Sequence, residues 1–295
     1  MVYKHMNEKK IFATTTTLTF LFLLISLSFS VFPALGAPTN VTFAVNLTIT
    51  GNTAPTIISV QGGISINPVE SSTRTVNVLF NASDDNGHAD MDYTTAQVIL
   101  SLAGETARTS STCVNFANNS LIKRFNCTVD LQYYDLDGSW TINATVEDTV
   151  NARAEDTGTT LTYGALQALR SNIAGVTFGS IALDALTSAS APMLLNNTGN
   201  QNFTQINVTA YTLRGTTTTT EIIPASNMSI NATANGWGTT LVNGTSIEIG
   251  QATLSRDISG IDTNETLYFW VDVPPSGLST QDYVSEQDWI IEVFP

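Results

Sequence analysis

The stretch LQYYDLDGSWTINATVED, Leu131 to Asp148, reads as a turn followed by a strand. Asp135 to Gly138 is an Asp-x-Asp-Gly turn, in which the glycine accepts a positive φ and the aspartates hydrogen-bond their own backbone. Trp140, Ile142, Ala144 and Val146 then alternate with polar residues. That period of two sets one face of a strand on a core and the other in solvent. Asn143 falls on the solvent face and opens Asn143-Ala144-Thr145, an N-glycosylation sequon. A glycan needs solvent, so the sugar signal and the hydrophobic signal assign the same two faces.

Outward from this unit, strands are expected at Thr56 to Val60, Thr75 to Phe80, Ala96 to Leu102, Ser139 to Glu147 and Thr159 to Tyr163, with a hairpin carrying Cys113 and Cys127. Short strands separated by Gly, Asp and Asn turns make residues 55–163 an antiparallel sandwich. Phe80-Asn-Ala-Ser-Asp-Asp-Asn-Gly87 with Asp90, and Asp135 to Asp148, carry a resemblance to the immunoglobulin-like, PKD-like and cadherin-like modules of archaeal and bacterial surface proteins. The cysteines depart from the antibody pattern. Fourteen residues is too short a separation for an inter-sheet bridge, so a bond between adjacent strands of one hairpin is expected.

Residues 164–171 read as a short linker, with Ala165, Leu166, Ala168 and Leu169 able to make one helical turn. Residues 172–295 form the second expected β-sandwich. Its strands are Gly175 to Leu183, Phe203 to Leu213, Met228 to Ala232, Ser246 to Ile249, Leu267 to Val273 and Trp289 to Phe294, with a hairpin turn at Asn243-Gly244. Leu195-Asn-Asn-Thr-Gly-Asn200 resembles a turn of CARDB-like extracellular adhesion modules. The expected fold class is therefore all-β, two tandem antiparallel immunoglobulin-like sandwiches preceded by a signal peptide.

The signal peptide is residues 1–37: Lys4, Lys9 and Lys10, an apolar run from Leu18 to Phe32, then Gly36 and Ala37 at the cleavage position. An uncleaved anchor over Ile11 to Phe32 is the alternative. Residues 38–54 hold an isolated amphipathic strand, Thr42 to Thr50, and a Gly51 to Pro55 breaker. Such a strand must pair with its own sandwich or, by self-association, complete a sheet edge of a neighbouring molecule. Removing Lys4, Lys9, Lys10 and Glu8 takes the net charge from −14 to −16, which argues against a nucleic-acid partner. Two cysteines behind a secretion signal predict one disulfide and an extracellular or cell-surface location.

Thirteen sequons begin at Asn40, Asn46, Asn81, Asn118, Asn126, Asn143, Asn196, Asn202, Asn207, Asn227, Asn231, Asn243 and Asn264. Asn46, Asn126 and Asn207 each lie on the polar side of an alternating strand. His88 is the one histidine beyond the signal and reads as a turn residue, and Asp156-Thr-Gly-Thr159 reads as a polar turn opening the last strand of its domain.

Three site readings follow. Calcium is the first. Neither Asp84 to Asp92 nor Asp135 to Gly138 keeps the EF-hand register. In an immunoglobulin-like sandwich, however, the second-to-third and sixth-to-seventh strand loops share one end. That end would gather Asp84, Asp85, Asp90 and Asp148 as leading ligands, with Asp92 and Asp156 nearby. Second, Tyr268, Trp270 and Asp272 share one strand face, a sugar-stacking platform if that face is exposed. Third, a glycosidase would need two carboxylates about 5 to 10 Å apart across a cleft. The leading function is a structural or adhesive surface protein whose partners are cell-envelope proteins or glycans, ahead of a carbohydrate-binding module and a glycosidase.

Overall fold

The computed structural model describes residues 44–47, 51–261 and 263–295, and among them the chain is all-β with no α-helix. Nine strands build the first core: β1 (Thr56–Val60), β2 (Ile64–Ile66), β3 (Thr73–Ser83), β4 (Met91–Ser101), β5 (Arg108–Thr109), β6 (Thr112–Asn118), β7 (Ile122–Gln132), β8 (Gly138–Asp148) and β9 (Arg153–Tyr163). One sheet has the order β1-β3-β7-β6 and the other β2-β9-β8-β4-β5. The β2–β9 pair is parallel and the remaining pairs are antiparallel. Alternate residues of both sheets meet in one buried cluster, including Val78, Phe80, Phe125 and Val129 from the first and Leu100, Trp140, Ile142 and Leu161 from the second. Phe80 and Phe125 sit directly opposite each other and stack with ring centroids 4.7 Å apart. Each such side chain removed from water contributes about 1.5–3 kcal/mol.

The turn before β8 supports the strand after it. Gly138 takes φ +137°. Asp135 accepts the Gln132 amide at 2.8 Å and forms a bidentate ion pair with Arg108. The fully buried Trp140 donates its indole N–H to Leu136 O at 2.9 Å, so its one polar atom is satisfied inside the core. Cys113 and Cys127 are directly opposed on β6 and β7, with Cα atoms 4.0 Å apart, and are bonded to each other within one sheet.

The second core is built from shorter strands: β10 (Leu169–Ser171), β11 (Leu186–Ser188), β12 (Met193–Asn197), β13 (Gln205–Thr209), β14 (Leu213–Gly215), β15 (Ile222–Ile223), β16 (Met228–Asn231), β17 (Thr239–Thr240), β18 (Ser246–Glu248), β19 (Asn264–Asp272), β20 (Tyr283–Ser285) and β21 (Ile290–Phe294). They form the orders β10-β12-β19-β16-β17, with β11 also paired to β19, then β18-β13-β21 and β15-β14-β20. Leu267, Phe269 and Val271 of β19 face inward onto Ile206, Val208, Met228 and Ile230.

Several expectations need correction. The signal region 1–37 lies outside the described residues. Of the strand expected over Thr42 to Thr50, residues 44–47 are described; they form no strand and Val45 and Leu47 are exposed. Residues 164–171 contain no helical turn, because Leu169–Ser171 is drawn into a ladder with β12. Gly175 to Leu183 is not a strand: Gly179, at φ +75°, breaks the alternation, and Val176, Phe178 and Ile181 pack on the core from irregular backbone. Phe203 to Leu213 is split, its two halves joining different sheets. The Asn243-Gly244 turn forms, but β17 and β18 on either side of it also belong to different sheets, so it makes no hairpin.

A polar joint connects the two cores. Asn200 is fully buried; its Nδ2 donates to Asp135 O and Gly164 O, both at 2.9 Å, while its Oδ1 accepts the Leu166 amide at 2.6 Å. Gln201 Nε2 reaches Asp137 Oδ1 at 2.7 Å and Thr198 Oγ1 reaches Glu70 Oε1 at 2.6 Å. Arg256 pairs with Glu105 and donates to Tyr134 O at 3.0 Å. Gly199 is required by close approach, since an added Cβ would lie 2.1 Å from Leu166 O.

Candidate functional site

The β3–β4 loop, residues 84–90, and the β8–β9 loop, residues 149–152, share one end of the first sandwich. The loops are stitched directly: Thr149 N donates to Asp90 O at 2.8 Å and the Thr149 hydroxyl to Asp90 Oδ1. Asp84, Asp90 and Asp148 converge there, each offering a carboxylate oxygen within 4.8 Å of the others. The shared pole was thus legible from the topology expected of the sequence.

The three carboxylates are held differently. Asp84 directly follows β3 and is 1% exposed; its Oδ1 accepts the Asn86 amide at 2.7 Å, while its Oδ2 is out of solvent and has no hydrogen-bond partner. Burial pushes its pKa up, opposed by the Asn86 N–H and reinforced by the charges of Asp90, Asp148 and Asp85. Asp148 closes β8. The Asn52 amide donates to its Oδ2 at 2.7 Å and holds its carboxyl below the usual range, with Val150 N and Ala152 N on its Oδ1 acting the same way. Asp90 is half-buried and borders an open surface depression with Asn52, Asn86 and Ala89.

The other expected acids stand apart. Asp85, in the turn after Asp84, is exposed and is not among the converging three. Asp92 lies within β4 and is occupied by the Thr94 hydroxyl and N–H, which lower its pKa. Asp156 lies within β9 and accepts the Gly158 amide at 2.7 Å, because the β8–β9 loop is shorter than expected. Asn52 was missed; its partner is 96 residues away and no local pattern marks it. His88 sits on the same loop, its amide donating to Ser120 O at 3.1 Å.

On β19, Tyr268 and Trp270 are half-buried and Asp272 is exposed. The Trp270 indole N–H is out of solvent without a partner, and β11 runs beside Trp270 to Asp272. The two rings are thus part-covered rather than fully exposed. Asn40 lies outside the described residues. Of the remaining sequon asparagines, Asn46, Asn118, Asn202, Asn243 and Asn264 are exposed, and Asn81, Asn126, Asn143, Asn196, Asn207, Asn227 and Asn231 are half-buried.

No protein-family description matches the chain, and no curated protein matches it. Among solved structures it is similar to the secreted serine protease VesC from Vibrio cholerae, at 14% identity over 80% of this chain and 50% of that one, with a TM-score of 0.22. The chain spans about half the length of that structure, and a likeness of this size carries no argument about fold or activity.

Proposed function

We propose that this chain is a secreted, glycosylated structural or adhesive component of a cell surface, built from two tandem immunoglobulin-like sandwiches and partnered by cell-envelope proteins or glycans. The observation that carries this reading is the joint between the cores. A fully buried asparagine, an Arg256–Glu105 pair and a glycine with no room for a Cβ seat one core firmly on the other, as a spacer that must present a surface in fixed register needs. The strand orders support the immunoglobulin-like part: β1-β3-β7-β6 corresponds to A-B-E-D and β9-β8-β4 to G-F-C. The Cys113–Cys127 bond supports an oxidising compartment. The absence of any fully buried residue among the twelve described sequon asparagines supports glycosylation.

Antibody labelling of intact native cells, with glycopeptide mass spectrometry, tests the reading. Surface labelling with sugar on exposed sites such as Asn118 and Asn264 is the expected result. A chain retained inside the cell with bare sequons would overturn it. The exposed apolar Val45 and Leu47 favour a further element, in which the leading segment pairs with a neighbouring copy. Removing residues 37–51 would then abolish self-association while leaving a folded monomer.

A further inference from the structure

We propose that Asp84, Asp90 and Asp148, together with the amide oxygen of Asn52, form a calcium-type cation site that fastens residues 51–53 to the end of the first sandwich. Three carboxylates gathered within 4.8 Å repel one another, and a fold tolerates this where something offsets the charge. The independent observation is Asp84 Oδ2. It is buried without a hydrogen-bond partner, on a side chain whose other oxygen is already held by the Asn86 amide. An acceptor-only oxygen in that position is costly unless a cation or donor meets it.

The donor set selects the ion. Every group is a hard oxygen and neither histidine nor cysteine belongs to the cluster, which disfavours transition metals. Calcium accepts 6–8 oxygens in flexible geometry, including bidentate carboxylates and water, whereas magnesium demands a near-ideal octahedron. The open depression beside Asp90 admits the waters that would complete the shell.

Asn52 links the site to the rest of the chain. Its Nδ2 lies 2.7 Å from Asp148 Oδ2, and a half-turn of the amide presents Oδ1 in the same place. The neighbouring backbone is already seated, with Thr53 N on Asn86 Oδ1 at 2.7 Å and Asn86 Nδ2 on Gly51 O at 3.1 Å. A bound cation would turn this light seating into a clamp controlled by extracellular calcium.

The test uses the full chain, CaCl2 and EDTA. At a hundredfold excess over Kd, calcium should raise the melting temperature by about 5–10 °C, reversibly with EDTA. Asp84→Asn should lose that shift. It should also melt no lower than the wild type in EDTA, because it removes a buried charge from among like charges. Asp85→Asn should keep the full shift. Calcium should slow hydrogen exchange at the Thr53 amide in the wild type, and Asn52→Ala should abolish that slowing. No melting shift together with no heat of calcium binding by calorimetry would overturn the proposal, as would a full shift in Asp84→Asn. A shift without slowed exchange at Thr53 would overturn the clamp. Should Asp84→Asn fail to fold, Asp90→Asn replaces it with the same expected loss.

Discussion

Replacing Asn200 with alanine tests whether the joint is a dry, specific contact. The side chain is fully buried and makes three bonds across the connection: to Asp135 O, to Gly164 O and from the Leu166 amide. Asn200→Ala strands all three backbone groups at once. A typical buried hydrogen bond contributes about 1 kcal/mol net, so the loss should be about 3 kcal/mol, more if no water enters the space left behind. For a chain of this size that corresponds to roughly 6–12 °C in melting temperature. Urea unfolding followed by tryptophan fluorescence gives the free energy. Small-angle scattering reports whether the two cores still hold a fixed relation, and a broadened distance distribution is expected. A loss below about 0.5 kcal/mol with unchanged scattering would refute the reasoning, because these bonds would then be exchanging freely for water.

Removing the disulfide with Cys113→Ala and Cys127→Ala should cost about 3 kcal/mol, the chain-entropy value for a loop closed over 14 residues, read from urea midpoints. Non-reduced peptide mapping should recover the two cysteines linked. Trp140→Ala should cost about 3–5 kcal/mol in the same assay, since it empties a fully buried position and strands Leu136 O. Glu221 accepts the Tyr283 hydroxyl and the Ser279 amide and hydroxyl, which hold its pKa down at about 2. Its folded pKa is depressed, so the stability it contributes is present above the ordinary value of 4.5 and is lost as pH falls through about 2. Titration followed by carboxyl NMR should show Tyr283→Phe moving it upward.

What could be read beforehand follows from strand length. β3, β7 and β8 are each eleven residues long, enough for the period of two to identify the buried face. In the second core most strands have two to five residues, and such runs carry too few repeats to separate a strand from packed irregular chain. That is why Gly175 to Leu183 reads as a strand in the sequence, while Leu195 to Asn200, which begins inside β12, reads as a turn. The acidic pole was legible through topology, because loop positions follow from strand order. Its membership was not: Asp84 and Asp85 are adjacent acids of which the fold buries one and exposes the other, and Asn52 joins from a distant segment. Asn200 looked like an ordinary turn residue for a related reason, since all three of its partners across the joint lie at least 34 residues earlier in the chain.

The parallel pairing of β2 with β9 has a mechanical consequence. Ile64, Ser65 and Ile66 lie beside Leu161, Thr162 and Tyr163 in the same direction, and the Gly164 amide extends the ladder to Ile66 O at 2.8 Å. Tension that enters before β2 and leaves after β9 drags these strands lengthwise past each other. The rungs are then loaded together in shear and must break together, whereas a hairpin pulled from its open end would unzip one rung at a time. Once tension reaches these two strands, the ladder resists extension as a unit. Once it ruptured, the Cys113–Cys127 link would withhold the residues between those cysteines from the length that the pull could release.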